Sequence, residues 1–115
     1  MALSESDIRS HIPPPSHTLR LATLIDRLQA AGIQTDTVFG TQVDAGAPCT
    51  LVQVADDSRK VHEGACFVAV DGHSSDGHAY IDDAIANGAI AVIAERIPEN
   101  AATAYPNVRF VQVAN

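Results

Sequence analysis

Two uninterrupted apolar runs constrain the fold of this chain more than any other feature. Residues Ala65–Val70 read Ala-Cys-Phe-Val-Ala-Val, and residues Ala89–Ala94 read Ala-Ile-Ala-Val-Ile-Ala. Short continuous apolar runs are typical of strands buried on both faces, which occur in parallel sheets covered by helices. The two runs therefore predict neighbouring parallel strands in the interior of an α/β domain.

The segment between the two runs has the pattern of a helix. Over residues 77–87 the apolar residues, among them Ile81 and Ala84, fall on one helical face, and Gly88 follows as a stop signal. Asp76 is a candidate N-cap. Together the three segments predict a βαβ unit of about minimal length, with parallel strands and a right-handed crossover.

The rest of the chain predicts a small mixed or parallel sheet with flanking helices. Residues 1–17 are polar, contain three consecutive prolines and predict an extended leader, so the domain is expected to span residues 18–115. A helix over Thr18–Ala31 is expected to be capped by Ser16 or Thr18 and stopped by Gly32. Three further segments have the composition of strands: Thr35–Phe39, Leu51–Ala55 and Val108–Val113.

Charge and composition exclude several classes of partner. The formal net charge is -7, and an acidic domain is poorly suited to nucleic-acid backbones or to anionic membranes. No apolar run approaches the ~20 residues of a spanning helix, and the N-terminus lacks the apolar centre of a signal peptide. Cys49 and Cys66 stand far apart and predict free thiols in a reducing compartment. We therefore expect a cytoplasmic protein.

Two loops could bind a ligand, since ligands of parallel α/β sheets bind beyond the carboxyl ends of the strands. Asp71–His78 follows the first apolar run and supplies glycines, hydroxyls and imidazoles that could hold a phosphate. Asp56–Val61 follows the strand Leu51–Ala55 and sets a serine beside Arg59 and Lys60, a combination suited to a diphosphate. From the residues alone, an ordinary strand-to-helix loop and a solvated turn are the favoured interpretations.

A metal site is not expected, because His73 and His78 are five residues apart with no cysteine nearby. No catalytic residue is predicted either. A small hydrolase with His73 or His78 as base stays open as an alternative, although no nucleophile stands at a suitable spacing.

The stretch from Asp57 to Ala94 closely resembles the N-terminal domain of the Mur ligases. It reads Asp-Ser-Arg-Lys-Val, Gly-Ala-Cys-Phe-Val-Ala-Val-Asp-Gly, Asp-Gly-His-Ala-Tyr-Ile and Ala-Ile-Ala-Asn-Gly-Ala-Ile-Ala-Val-Ile in turn. The best fit is the type that adds the third amino acid of the peptide, ahead of the type that adds the terminal dipeptide. Glu63 replaces a favoured proline and Cys66 a favoured leucine.

This resemblance implies a role in holding the UDP end of UDP-N-acetylmuramoyl-L-alanyl-D-glutamate. By motif position, the resemblance implies five substrate-binding residues that contact UDP: Asp56, Ser58, His73, Ser74 and Ser75. Arg59 is a strong motif residue that either contacts the ligand or braces the loop. At the position of Asp56 the family often has an apolar residue.

The resemblance also implies that the parent protein is an ATP-dependent acid–amino-acid ligase in peptidoglycan synthesis. ATP and Mg²⁺ would belong to a central domain whose loop, G-T-N-G-K-[ST], is missing here, since the single lysine is Lys60. The chain is therefore expected to be inactive alone and to act with central and C-terminal domains of the same parent chain. The alternative is a free-standing module of this fold that binds another nucleotide-sugar or a protein.

Overall fold

The computed structural model describes residues 19–44, 46–69 and 77–114, with backbone only at residues 77 and 78. The described residues form strands, helices and two 3-10 turns. In chain order they are β1 (Leu19–Arg20), α1 (Leu21–Ala30), β2 (Gln34–Phe39), β3 (Thr50–Leu51), β4 (Gln53–Ala55), a 3-10 turn (Ser58–Lys60), β5 (Ala65–Ala69), a 3-10 turn (Gly77–Tyr80), α2 (Ile81–Ala86), β6 (Ala91–Ala94), α3 (Ala101–Ala104) and β7 (Arg109–Ala114).

The main sheet has five strands in the order β2-β7-β6-β5-β4. Strands β4, β5, β6 and β7 run parallel, with Val68 beside Ile93 and Ile93 beside Val111, and β2 pairs antiparallel with β7 at one edge. β1 and β3 form a separate antiparallel pair. The predicted α/β architecture is confirmed, and so is the parallel pairing of the two apolar runs.

Each central strand divides its side chains between two cores. In β5, Cys66 and Val68 face a cluster with the α1 residues Leu24 and Leu28. The alternate residues Ala65, Phe67 and Ala69 face a second cluster, which contains residues of α2 and α3. Because successive strand residues point to opposite faces, all five β5 residues are buried. This two-sided burial explains why the run is continuously apolar.

The two longer helices end as their glycines predict. After α1, Gly32 adopts φ 87°, its N–H donates to the Gln29 carbonyl, and the Ile33 N–H donates to the Leu28 carbonyl. After α2, Gly88 adopts φ 117° in the same hydrogen-bond pattern, a Schellman motif. Glycine is favoured at both positions because it adopts positive φ without a Cβ penalty.

Three predicted elements differ from the structure. The segment Leu51–Ala55 is two strands in different sheets, because the chain bends at Val52, whose N–H donates to the Gly64 carbonyl. The first helix starts at Leu21, three residues later than predicted, and its N-cap is Arg20, with no side-chain cap. The predicted helix over 77–87 begins as a 3-10 turn, and the α-helix covers Ile81–Ala86.

Some elements were not predicted at all. Helix α3 has four residues and only one of them, Ala101, is buried, so its apolar pattern is too short to detect. The leader over residues 1–17, the caps Ser16 and Thr18, and the cap Asp76 lie outside the described residues. Within the ranges that are described, no helix is long and apolar enough to cross a bilayer.

Candidate functional site

The first candidate loop leaves the carboxyl edge of the parallel strands. β4 ends at Ala55, which lies beside Phe67 of β5, and β5 continues to Ala69 on the same edge. The chain after Ala55 therefore departs next to the point from which the chain after Ala69 departs. Adjacent strand ends of a parallel sheet are the ordinary location of a ligand site in this class of fold.

A short turn forms immediately after β4. Asp57 is the N-cap of the 3-10 turn Ser58–Lys60, and its Oδ1 accepts from the Arg59 N–H at 3.0 Å. The Lys60 N–H donates to the Asp57 carbonyl at 3.0 Å. Side-chain oxygens at N-caps satisfy donors that have no partner in the first turn. The Asp-Ser-Arg motif thus encodes a capped turn.

The Arg59 guanidinium binds the same carboxylate. Nε donates to Asp57 Oδ1 at 3.1 Å and Nη2 donates to Oδ2 at 3.0 Å, a two-point ion pair. The Arg59 side chain is 88% exposed, so this pair lies at the surface. Hydrogen bonds and charge from Arg59 lower the pKa of Asp57 from 3.8 to about 2, and Asp57 in turn raises the pKa of Arg59.

Ser58 is the single buried polar residue in the part of the chain that the structure describes, with 7% of its surface exposed. Its carbonyl accepts from Asn87 Nδ2 at 2.9 Å, which connects the turn to the end of α2. Buried polar residues are uncommon, and they are more informative about function than exposed ones. Ser58 is therefore held at a defined position on the carboxyl edge.

Gln53 secures the far end of the same turn. Its Nε2 donates to the Lys60 carbonyl at 2.8 Å, and its Oε1 accepts from the His62 N–H at 2.9 Å. The amide side chain of Gln53 thus binds one backbone group on each side of Val61, the residue that follows the turn. The segment from Asp57 to His62 is attached to β4 by Gln53 and to α2 by Asn87.

The other sequence-predicted residues divide into two groups. Asp56 is half-buried directly after β4, next to the turn. His73, Ser74 and Ser75 lie outside the described residues, so the structure brings only Asp56, Ser58 and Arg59 together.

Tyr80 is an exposed aromatic residue near this turn. It is the N-cap residue of α2, and 43% of its surface is exposed. Single exposed apolar residues are ordinary at protein surfaces, so this exposure does not by itself indicate a binding site.

Neither cysteine has the properties of a reactive thiol. Cys66 is fully buried in β5, and burial raises the pKa of its thiol. Burial also raises the pKa of Cys49, against the opposing effect of Arg109. Neither thiol is activated as a nucleophile. Across residues 19–44, 46–69 and 77–114, no group of three or more His, Cys, Asp or Glu side chains could hold a metal ion.

The Ser58 turn is not a phosphate-binding loop of the P-loop type. The sequence contains no G-x-x-x-x-G-K-[ST] loop, and its one lysine, Lys60, lies in the turn described above, where its carbonyl accepts from Gln53. A phosphate-cradling loop needs glycines that let the backbone amides approach the ligand. The turn Ser58–Lys60 has none.

Sequence reasoning missed the residues that hold the turn. Asp57 was visible as part of the motif, and its position before Ser58 is a capping signal that could have identified it. Gln53 and Asn87 carry no such signal, because their partners are distant in sequence and meet them only in the folded chain.

Comparisons with known proteins bear on both candidate loops. The profile described as "Mur ligase family, catalytic domain" matches residues 50–115, a segment that contains the Ser58 turn and the triplet His73–Ser75. The solved structure of UDP-N-acetylmuramoylalanyl-D-glutamyl-2,6-diaminopimelate–D-alanyl-D-alanyl ligase from Acinetobacter baumannii is similar over 90% of this chain and 20% of its own, with a TM-score of 0.59 and 22% identity. That similarity supports the fold alone.

Two similar sequences are both UDP-N-acetylmuramoyl-L-alanyl-D-glutamate–2,6-diaminopimelate ligases. The protein of Cytophaga hutchinsonii is 50% identical over 64 residues, which are 56% of this chain and 12% of that protein. The protein of Listeria innocua is 45% identical over 53 residues, 46% of this chain and 11% of that protein. The chain thus spans only about an eighth of such relatives. Because the family profile covers more than half of the chain and the fold agrees, this chain belongs to the Mur ligase family.

Proposed function

We propose that this chain is the N-terminal domain of a cytoplasmic peptidoglycan-precursor ligase and that it binds the UDP moiety of UDP-N-acetylmuramoyl-L-alanyl-D-glutamate. The observation that carries the proposal is the family match over residues 50–115, which includes both candidate loops. The sequence relatives are the diaminopimelate-adding ligases, so their type is favoured over the dipeptide-adding type.

The geometry of the first loop supports a binding role. The turn Ser58–Lys60 is anchored at the carboxyl edge, where a ligand of a parallel sheet is expected. Ser58 supplies a hydroxyl, and His73, Ser74 and Ser75 supply further polar side chains in the segment after β5. Asp56 completes the set of proposed UDP contacts.

Catalysis is assigned to the parent protein rather than to this chain. The ligase reaction forms an amide bond with ATP as the energy source, and ATP and Mg²⁺ would be bound by the central domain. The incoming amino acid would meet the C-terminal domain. This chain would bind and orient the nucleotide end of the substrate, and its own residues supply no phosphoryl-transfer step.

The decisive experiment is a titration of the isotope-labelled chain, followed by NMR, with UDP and then with UDP-N-acetylmuramoyl-L-alanyl-D-glutamate. Saturable amide shifts confined to residues 56–60 and 72–78 are expected, with a Kd around 1 mM because the central domain would complete the site. ATP serves as the control nucleotide and should shift neither loop. Absence of shifts with both UDP ligands would reject the proposal.

A variant pair tests the contact to Ser58. Ser58→Ala should weaken UDP binding roughly fivefold, the effect of one lost hydrogen bond. Thr35→Ala is the matched control, because Thr35 lies on β2 at the other edge of the sheet, where its hydroxyl accepts from Gln29. Equal affinities of the two variants for UDP would contradict a contact through Ser58.

A further inference from the structure

We propose that Arg59 and Asp57 together position the Ser58 turn for UDP, and that Arg59 does not itself bind the diphosphate. This inference rests on the proposed UDP-binding function. It assigns to Arg59 the role of a positioning residue, which acts through the shape of the turn.

The first support is the occupancy of the guanidinium. Arginine recognises phosphate most specifically with two N–H groups directed at two oxygens. In Arg59, Nε and Nη2 already make that two-point contact with the Asp57 carboxylate, at 3.1 and 3.0 Å. A diphosphate approaching this face would have to displace a bonded carboxylate.

The second support is the position of Ser58 between the two charged residues. Asp57 and Arg59 flank Ser58 in sequence. The Asp57 carboxylate accepts from both the backbone N–H and the guanidinium of Arg59, and these bonds close a ring that spans Ser58. The ring restrains the backbone on both sides of Ser58. Asn87 holds the Ser58 carbonyl from the end of α2, and the ion pair adds a second support to the turn.

The charges next to Ser58 allow the two roles of Arg59 to be distinguished. Asp56 and Asp57 precede Ser58 in an acidic chain, and the basic residues Arg59 and Lys60 follow it. If Arg59 contacted the diphosphate, Asp57 would compete with the ligand, and removing its charge should tighten binding. If Arg59 is a brace, removing the same charge should weaken binding, because the turn loses its partner. The two roles thus predict opposite signs.

The test compares UDP affinities of the wild-type chain with those of Asp57→Asn, Arg59→Gln and the double variant, by the NMR titration above. Asparagine keeps a capping oxygen for the Arg59 N–H, so Asp57→Asn removes mainly the ion pair. Each single variant should weaken UDP binding about threefold, a small effect because the pair is exposed. The double variant should be no weaker than either single variant.

Controls separate a local effect from a general one. Asp26→Asn and Arg27→Gln make the same charge changes on α1 and should leave the UDP affinity unchanged. The melting temperatures of Asp57→Asn and Arg59→Gln should fall only slightly, because the Arg59 side chain is 88% exposed. The Ser58 amide shift should move in the Asp57 and Arg59 variants and stay in place in the Asp26 and Arg27 variants.

The outcomes distinguish the two proposals. Unchanged or tighter UDP binding by Asp57→Asn, or additive losses in the double variant, overturns the positioning role while the proposed function stands. Failure of the wild-type chain to bind UDP overturns the proposed function and the positioning role with it.

Discussion

At the scale of single residues, the structure shows which hydrogen bonds the residues of the Asp-Ser-Arg motif make. The sequence shows Asp57, Ser58 and Arg59 in a row, and the family resemblance implies a ligand contact for Ser58 and either a contact or a bracing role for Arg59. In the folded chain the three residues differ: Asp57 caps the turn, Arg59 binds Asp57, and Ser58 is buried between them. This difference follows from hydrogen bonds that a sequence does not specify.

The Asp57 carboxyl provides a direct measurement of the ion pair. Arg59 favours the charged form, so the folded pKa is about 2, below the ordinary 3.8. The stabilisation is therefore fully present above pH 3.8 and is lost as the pH falls through about 2. NMR titration of the side-chain carboxyl carbon should show this midpoint in the wild type. In Arg59→Gln the midpoint should return part of the way to 3.8, because the backbone N–H of residue 59 still donates to the carboxylate; an unchanged low value would mean that the guanidinium is not a cause.

At the scale of elements, both longer helices stop at glycines for the same local reason but in different surroundings. Gly32 and Gly88 each adopt positive φ in a Schellman motif. A Cβ on Gly32 would meet nothing within 4 Å, whereas a Cβ on Gly88 would lie 2.5 Å from the Glu63 Cα. The Gly64 N–H also donates to the Gly88 carbonyl, so the end of α2 packs directly on the start of β5.

This contrast predicts different costs for the same substitution. Gly32→Ala should lower the free energy of unfolding by about 1 kcal/mol, the penalty for a left-handed alanine. Gly88→Ala should lower it by about 3 kcal/mol, because the strain of overpacking against rigid backbone adds to that penalty. Urea unfolding of both variants measures the difference. Equal losses would show that the backbone around Glu63 moves aside at little cost.

Also at the element scale, the segment Leu51–Ala55 shows how a correct local pattern can give a wrong element. Its residues favour extended backbone throughout, and they are extended on both sides of Val52. Leu51 pairs with Leu19 of β1, while Gln53 pairs with Ala65 of β5. Which partner each half meets depends on residues more than ten positions away, so the local pattern could not have predicted the break.

At the scale of the whole molecule, the sheet separates two cores. The cluster on the α1 side includes Leu24 and Ile93, and the cluster on the α2 and α3 side includes Ile81 and Phe110. Interiors pack tightly and respond locally to lost volume, so substitutions on opposite faces should act independently.

Two double variants test this separation. Leu24→Ala should lower the free energy of unfolding by about 3 kcal/mol and Ile81→Val by about 1 kcal/mol. Combined, they should add to within about 0.5 kcal/mol. Leu24→Ala with Ile93→Val is the comparison pair, since both side chains lie in one cluster and can share the relaxation of a cavity. Strong coupling across the sheet in the first pair would contradict two independent cores.

The sequence by itself determined the α/β class, the parallel pair of buried strands, the glycine stops of both longer helices and the family. These depend on short-range patterns: continuous apolar runs for two-sided burial, glycine for positive φ, and a motif of adjacent residues. The tertiary structure alone decided the split of Leu51–Ala55, the antiparallel edge strand β2 and the anchoring of the Ser58 turn by Gln53 and Asn87. Each of these is a contact between distant residues, and the free energy of such a contact exists only once the chain has brought its two sides together.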